Sequence, residues 1–164
     1  MLRHIEKFRV PVRLARIGAP PEPGYMALAP FAELHVGPET LLERLNAPTK
    51  VVPFQLPESD VVLLLMRRHI EWVDVDDRVD ARLVRPVTYR ATSEEDVFVR
   101  MAGGECFEGV LAIEMPDELN RASDYLNGEE AFFPLRTPGG TRLVNKDRVV
   151  EVRVRGAVPL PRVA

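Results

Sequence analysis

Little in this chain points to covalent or metal chemistry. A single cysteine, Cys106, rules out an internal disulfide framework and fits a reducing compartment. The longest apolar run, residues 61–66, is far too short to cross a bilayer as a helix. The first eight residues offer no apolar core for a signal peptide, so the expected location is the cytoplasm. Three histidines, His4, His35 and His69, lie far apart without a second ligand two or four residues away, and no metal site is expected. A nucleophile elbow, a P-loop and a dinucleotide-binding glycine pattern are all missing, so neither catalytic nor cofactor residues are expected. The net charge of −3 gives no bulk attraction for a polyanion.

What the chain does have is internal repetition. Leu45-Asn46, Pro53 and Pro57 recur 81 residues later as Leu126-Asn127, Pro134 and Pro138. Ile70, Val73 and Val75 recur 79 residues later as Val149, Val152 and Val154, so one turn has lost two residues. Repetition at this period implies one structural unit per copy, and units this small gain by burying a face against each other. Repeat one is assigned to residues 9–76, a connector to 77–95 and repeat two to 96–155.

Both repeats read as the same series of elements. In the second, Val97 to Met101 alternates like a strand, Gly103-Gly104 turns the chain, and Val110 to Ile113 is a buried strand. Pro116 opens a short helix carrying Leu119, Ala122 and Leu126 on one face. Residues 131–135 form a third strand whose Pro134 implies an edge or a strand end. Arg142 to Val144 and Val149 to Val154 complete the unit around Asn145-Lys146-Asp147-Arg148. The first repeat follows with a strand at 10–17, a long turn at 18–24 and a strand at 25–28. A helix after Pro38 carries Leu41, Leu42 and Leu45, and strands follow at 51–56, 61–66 and 70–75. Within the connector, Leu83, Val84, Val87 and Tyr89 could add a strand.

Five short strands with a tight first hairpin and a closing hairpin around a polar tetrapeptide resemble an SH3-like barrel. The fold expected is therefore mainly β: two tandem small SH3-like or Sm-like β-barrels, each with a short helix before its third strand. Residues 99–111 and 143–152 are similar to the first strand pair and the closing hairpin of Sm-like proteins, a resemblance that implies RNA binding. The base-holding acidic residue and asparagine of that family are replaced here by Glu114-Met115-Pro116-Asp117. In addition, Arg121-Ala122-Ser123-Asp124-Tyr125-Leu126-Asn127, Phe133-Pro134-Leu135 and Val144-Asn145-Lys146 resemble an uncharacterised bacterial domain family with R-x-S-D-x-L-N, F-x-P-L and V-N-K segments. That resemblance implies no activity.

The candidate ligand-binding residues are Arg67, Arg68 and His69 in the first repeat, and Lys146 and Arg148 at the aligned place in the second. Asp147 stands between the last two and would repel phosphate. The carboxylates at Glu94-Glu95-Asp96 and Asp74-Asp76-Asp77 read as solvated turns. Cys106, flanked by Glu105 and Glu108, lacks the electropositive setting of a reactive thiol and is expected to pack as a small apolar residue. The repeated Leu-Asn is expected to end each helix through bonds to its own turn. The favoured expectation is a non-catalytic module acting by protein–protein contact or self-association through exposed strand edges. An Sm-like RNA-binding protein is the alternative, and an enzyme with an unrecognised site the second alternative.

Overall fold

A computed structural model describes residues 8–86, 90–114 and 121–159, without the side chains of 156–159. Ten strands form one antiparallel sheet that does not close on itself. The strands are β1 (Phe8–Arg16), β2 (Ala19–Leu28), β3 (Val51–Gln55), β4 (Val62–Met66), β5 (Ile70–Asp76), β6 (Ser93–Met101), β7 (Cys106–Ile113), β8 (Phe132–Thr137), β9 (Gly140–Asn145) and β10 (Val149–Pro159). Helix α1 (Leu41–Asn46) precedes β3, and α2 (Ala122–Leu126) precedes β8. Two 3-10 turns, Arg67–His69 and Lys146–Arg148, introduce β5 and β10.

The spatial order is β10-β6-β7-β8-β9-β5-β1-β2-β3-β4. The first five strands and the last five are each ordered fifth-first-second-third-fourth, and β9 against β5 joins the two sets. Two tandem small barrels packed against each other were expected. The sheet is continuous instead because the edge left by β9 is taken up by β5 of the other half.

Pairing registers correspond residue by residue between the halves. Val12 faces Gly24 as Val97 faces Gly109, and Pro53 faces Leu64 as Pro134 faces Leu143. In each half the second and third strands meet at one residue pair only, Tyr25 with Gln55 and Val110 with Arg136. An aromatic or aliphatic wedge fills that opening. A Cβ on Gly24 would run into the Phe54 ring, and one on Gly109 would lie 2.5 Å from Leu135 Cγ. Both positions require glycine because a neighbouring side chain occupies the space.

Pro134 therefore lies buried in the interior of the sheet, not at its edge. Its missing N–H costs no ladder bond, since β8 pairs with β7 only at Arg136. Nor are residues 18–24 a long turn. The chain reverses at Ile17-Gly18, with Gly18 at φ +79, and the prolines that follow belong to β2. Strand β6 starts at Ser93, two residues before the expected end of the connector, and places Glu94, Glu95 and Asp96 in a strand. Leu83 sits in a 3-10 turn (Ala81–Leu83) capped by Asp80. The carbonyl of Val84 then accepts from the Leu42 N–H of α1 at 3.0 Å. The expected strand residues Val87 and Tyr89, and the helix-opening Pro116 and Leu119, lie outside the described residues.

A capping box starts α1: Thr40 Oγ1 accepts from Glu43 N at 3.2 Å, and Glu43 Oε1 accepts from Thr40 N at 3.1 Å. Leu41, Leu42 and Leu45 face inward. There are two cores. One gathers Val10, Val12, Leu14, Met26, Leu28, the α1 leucines, Phe54 and Val73; the other gathers Val97, Val99, Met101, Leu111, Ile113 and Leu135. The central strands serve both. Phe132 and Leu143 enter the first core while their neighbours Phe133 and Val144 enter the second. Likewise Leu14 and Val73 go to the first, and Ala15 and Trp72 to the second. Alternation along a strand thus distributes side chains between two interiors rather than between core and water.

Candidate interaction edges

The joint between the halves is built from β5 and β9, with Trp72 opposite Val144, Val73 opposite Leu143 and Asp74 opposite Arg142. The last pair is bidentate: Arg142 Nε donates to Asp74 Oδ1 at 2.7 Å and Nη2 to Oδ2 at 2.9 Å. The same guanidinium stacks 3.7 Å from the Trp72 ring centre and 4.5 Å from that of Phe107. Trp72 Nε1 donates to Glu105 Oε2 at 2.9 Å. At one end of the joint the buried Asn145 donates to the Ile70 carbonyl at 2.9 Å.

Asn46 completes the joint in a way its position in the sequence did not indicate. Its Oδ1 accepts from Phe132 N at 2.7 Å, and its Nδ2 donates to Phe132 O at 3.3 Å. The carboxamide at the end of α1 clamps the main chain of the other half, not its own turn. Asn127, its counterpart, is exposed.

The five candidate ligand residues do come together, because the two 3-10 turns flank the β5–β9 joint: Arg148 Nε donates to Arg68 O at 2.5 Å. Their cationic groups are mostly turned to the chain itself. Arg67 donates to the Leu45 and Ala47 carbonyls at the end of α1. Lys146 Nζ donates to Gly128 O at 3.1 Å just beyond α2, and burial pulls its pKa down from the ordinary lysine value. Both satisfy carbonyls where a helix ends. Arg68 and His69 are exposed.

Nearby carboxylates are engaged too. Besides Asp74 with Arg142, Asp76 Oδ1 accepts from Arg78 Nε at 2.9 Å. Asp74, Asp76 and Arg78 line an open cleft of about 630 Å³ with Pro11, Val12, Thr137 and Gly139. Burial and repulsion from Glu105 raise the Glu71 pKa above its ordinary value, with Arg148 opposing them. Glu95, read as part of a solvated turn, is buried on the inner face of β6. Cys106 was expected to pack inside but is exposed at the start of β7. Among the described residues, no three His, Cys, Asp or Glu side chains converge as a metal site would require.

Among the described residues, a strand and a loop each present a group of apolar side chains to solvent. The first is β4, at one end of the strand order, where Val62, Leu64 and Met66 point outward and Leu63 and Leu65 face the core. The described residues of the other half leave Val62, Leu64 and Met66 exposed, whereas Trp72 to Asp76 pair with β9. The second is the loop bearing Phe31, Leu34 and Val36, all largely exposed. Ala32 N donates to Gly37 O at 2.8 Å, and His35 Nε2 lies 2.6 Å from Glu43 Oε1, which ties the loop to α1.

Comparison of the chain with family models, with curated proteins and with solved structures finds no match. No helix among the described residues is long and apolar enough to cross a membrane.

Proposed function

We propose that this chain is a non-catalytic, cytoplasmic protein-interaction module made of two tandem SH3-like units fused edge to edge. The tandem reading is supported by the common strand order, the corresponding registers and the paired glycines Gly24 and Gly109. Interaction through contact is supported above all by β4, an end strand whose outward residues are all aliphatic or thioether. Such an edge offers unpaired main-chain groups beside apolar side chains, the combination that accepts a partner strand.

The Sm-like RNA-binding reading has its own observation, the convergence of Arg67, Arg68, His69, Lys146 and Arg148 beside the joint. Against it, three of the five side chains (Arg67, Lys146 and Arg148) donate to main-chain carbonyls of this chain. Two measurements separate the readings. Tagged protein should retain partners from native cell extract equally with and without nuclease, and Leu64→Arg should release them. Micromolar binding of a short RNA at about 150 mM salt, lost in Lys146→Ala/Arg148→Ala, would overturn the protein-contact reading. At that salt the Debye length is about 8 Å, so only close phosphate contacts register.

A further inference from the structure

The two ends of the sheet are counterparts of the two strands joined at its centre. Strand β4 holds the place in the first half that β9 holds in the second, and β10 the place that β5 holds in the first. The correspondence extends to single residues: Leu64 for Leu143, Val152 for Val73, Val154 for Val75, Val51 for Phe132 and Asn127 for Asn46.

Burial differs systematically between these counterparts. Leu143 is 0% exposed in the first core, whereas Leu64 is 67% exposed. Leu45 and Val73, which Leu143 and Phe132 help to cover, are 0% exposed, yet Leu126 and Val152 are only partly buried. Asn46 clamps Phe132, while Asn127 is exposed beside α2. Among the described residues the second core thus lacks the cover that the first receives, and the outward face of β4 meets no other described element.

We propose that β4 of one copy of this chain pairs with β10 of another in the register of β9 on β5, giving head-to-tail self-assembly. This rests on the protein-contact reading and names its partner. Leu64 enters beside Leu126 and Val152 of the neighbour, and the neighbour's Asn127 side chain clamps the main chain at Val51. Strand β4 has no charged side chain, so Glu151, Arg153 and Arg155 on β10 meet no like charge across the pair. Leu63 stands where β9 has Arg142, and Glu151 where β5 has Trp72, so the outer joint has neither the ion pair nor the stacked ring. It is the weaker of the two joints and forms by mass action. A contact between unlike surfaces leads to a closed ring or an open chain.

Sedimentation velocity and light scattering on the full chain across a wide concentration range test this. The expected result is concentration-dependent mass above the monomer, weakened at least about tenfold by Leu64→Arg or by Asn127→Ala, as for truncation at an interface centre. Both residues are exposed, so the variants should keep the wild-type circular dichroism and melting behaviour. In a Cys106→Ser background, oxidised Leu64→Cys/Val152→Cys should give a ladder of cross-linked chains, and neither single substitution should. A monomer at every concentration, association indifferent to both substitutions, or cross-linking by Leu64→Cys alone would each overturn the pairing. The protein-contact reading is tested apart from it, since a strictly monomeric chain can still lose a nuclease-insensitive partner on Leu64→Arg.

Discussion

At the scale of single residues, position matters more than type. Gly24 and Gly109 stand where Phe54 and Leu135 fill the space a side chain would need, whereas Gly139 has nothing within 4 Å. Gly24→Ala and Gly109→Ala should each destabilise the fold by about 1–3 kcal/mol, the usual cost of overpacking, with Gly139→Ala close to neutral. Urea denaturation of the three variants checks the contrast. Asn46→Ala leaves the Phe132 N–H and carbonyl without their partner and should cost about 1–3 kcal/mol. Asn127→Ala, at an exposed site, should leave the monomer unchanged.

His35 carries a pH signature of the same local kind. Its hydrogen bond to Glu43, with help from the Val36 carbonyl, raises its pKa above the ordinary 6.5. For Glu43, burial pushes upward, but the bonds from His35 and Thr40 outweigh it and bring the carboxyl below 4.5. The histidine's contribution is complete below its unfolded value of about 6.5 and fades as pH rises through its higher folded value. The glutamate's is complete above its unfolded value of about 4.3 and fades as pH falls through its lower folded value. The tether is therefore strongest between those limits, and raising the pH through the folded His35 value should weaken the hold on the loop of Phe31, Leu34 and Val36. An NMR titration should place the His35 midpoint above 6.5 in the wild type and nearer 6.5 in Glu43→Gln.

At the scale of elements, strands with clean periodicity were legible. The alternation from Val97 to Met101 lies inside β6, and the apolar run at 61–66 contains β4. The leucines after Pro38 make α1, although Thr40, not the proline, starts the helix. Prolines misled in both directions. Residues 18–24 read as a turn, but the prolines of β2 lie on a stretch that pairs only with β1, where a missing N–H costs nothing. Pro134 read as marking an edge or a strand end, yet it lies inside β8 in the interior of the sheet, because β7 and β8 separate there. The joint itself was the least legible part. No periodicity announces that Asn46 bonds a strand 86 residues away or that Arg142 lies between two aromatic rings. Such pairs exist only once β9 has met β5. The basic tetrapeptides were visible as charge, but not that Arg67 and Lys146 spend theirs on helix-end carbonyls.

At the scale of the whole molecule, neither half owns a complete interior. The first core takes Phe132 and Leu143 from the second half, and the second takes Ala15 and Trp72 from the first. The chain should therefore unfold in one cooperative transition, with calorimetric and van't Hoff enthalpies in agreement. Residues 91–164 expressed alone should not form a stable monomer. Without β5, Phe132 and Leu143 would face water, an apolar loss of about 1.5–3 kcal/mol for each side chain. A sharp melting transition from that fragment, at a sedimentation coefficient typical of its mass, would show that the second half is self-sufficient.

The joint at the centre of the sheet also has a kinetic meaning. Its two surfaces are tethered by the chain between them, so each meets the other at an effective concentration set by linker length, and dilution does not part them. A contact held that way is free to become one of a kind. Trp72, Asp74 and Arg142 occur at this joint without counterparts at the outer strands. Tethering keeps the seam closed at any dilution, so its residues are free to differ from those of the outer strands.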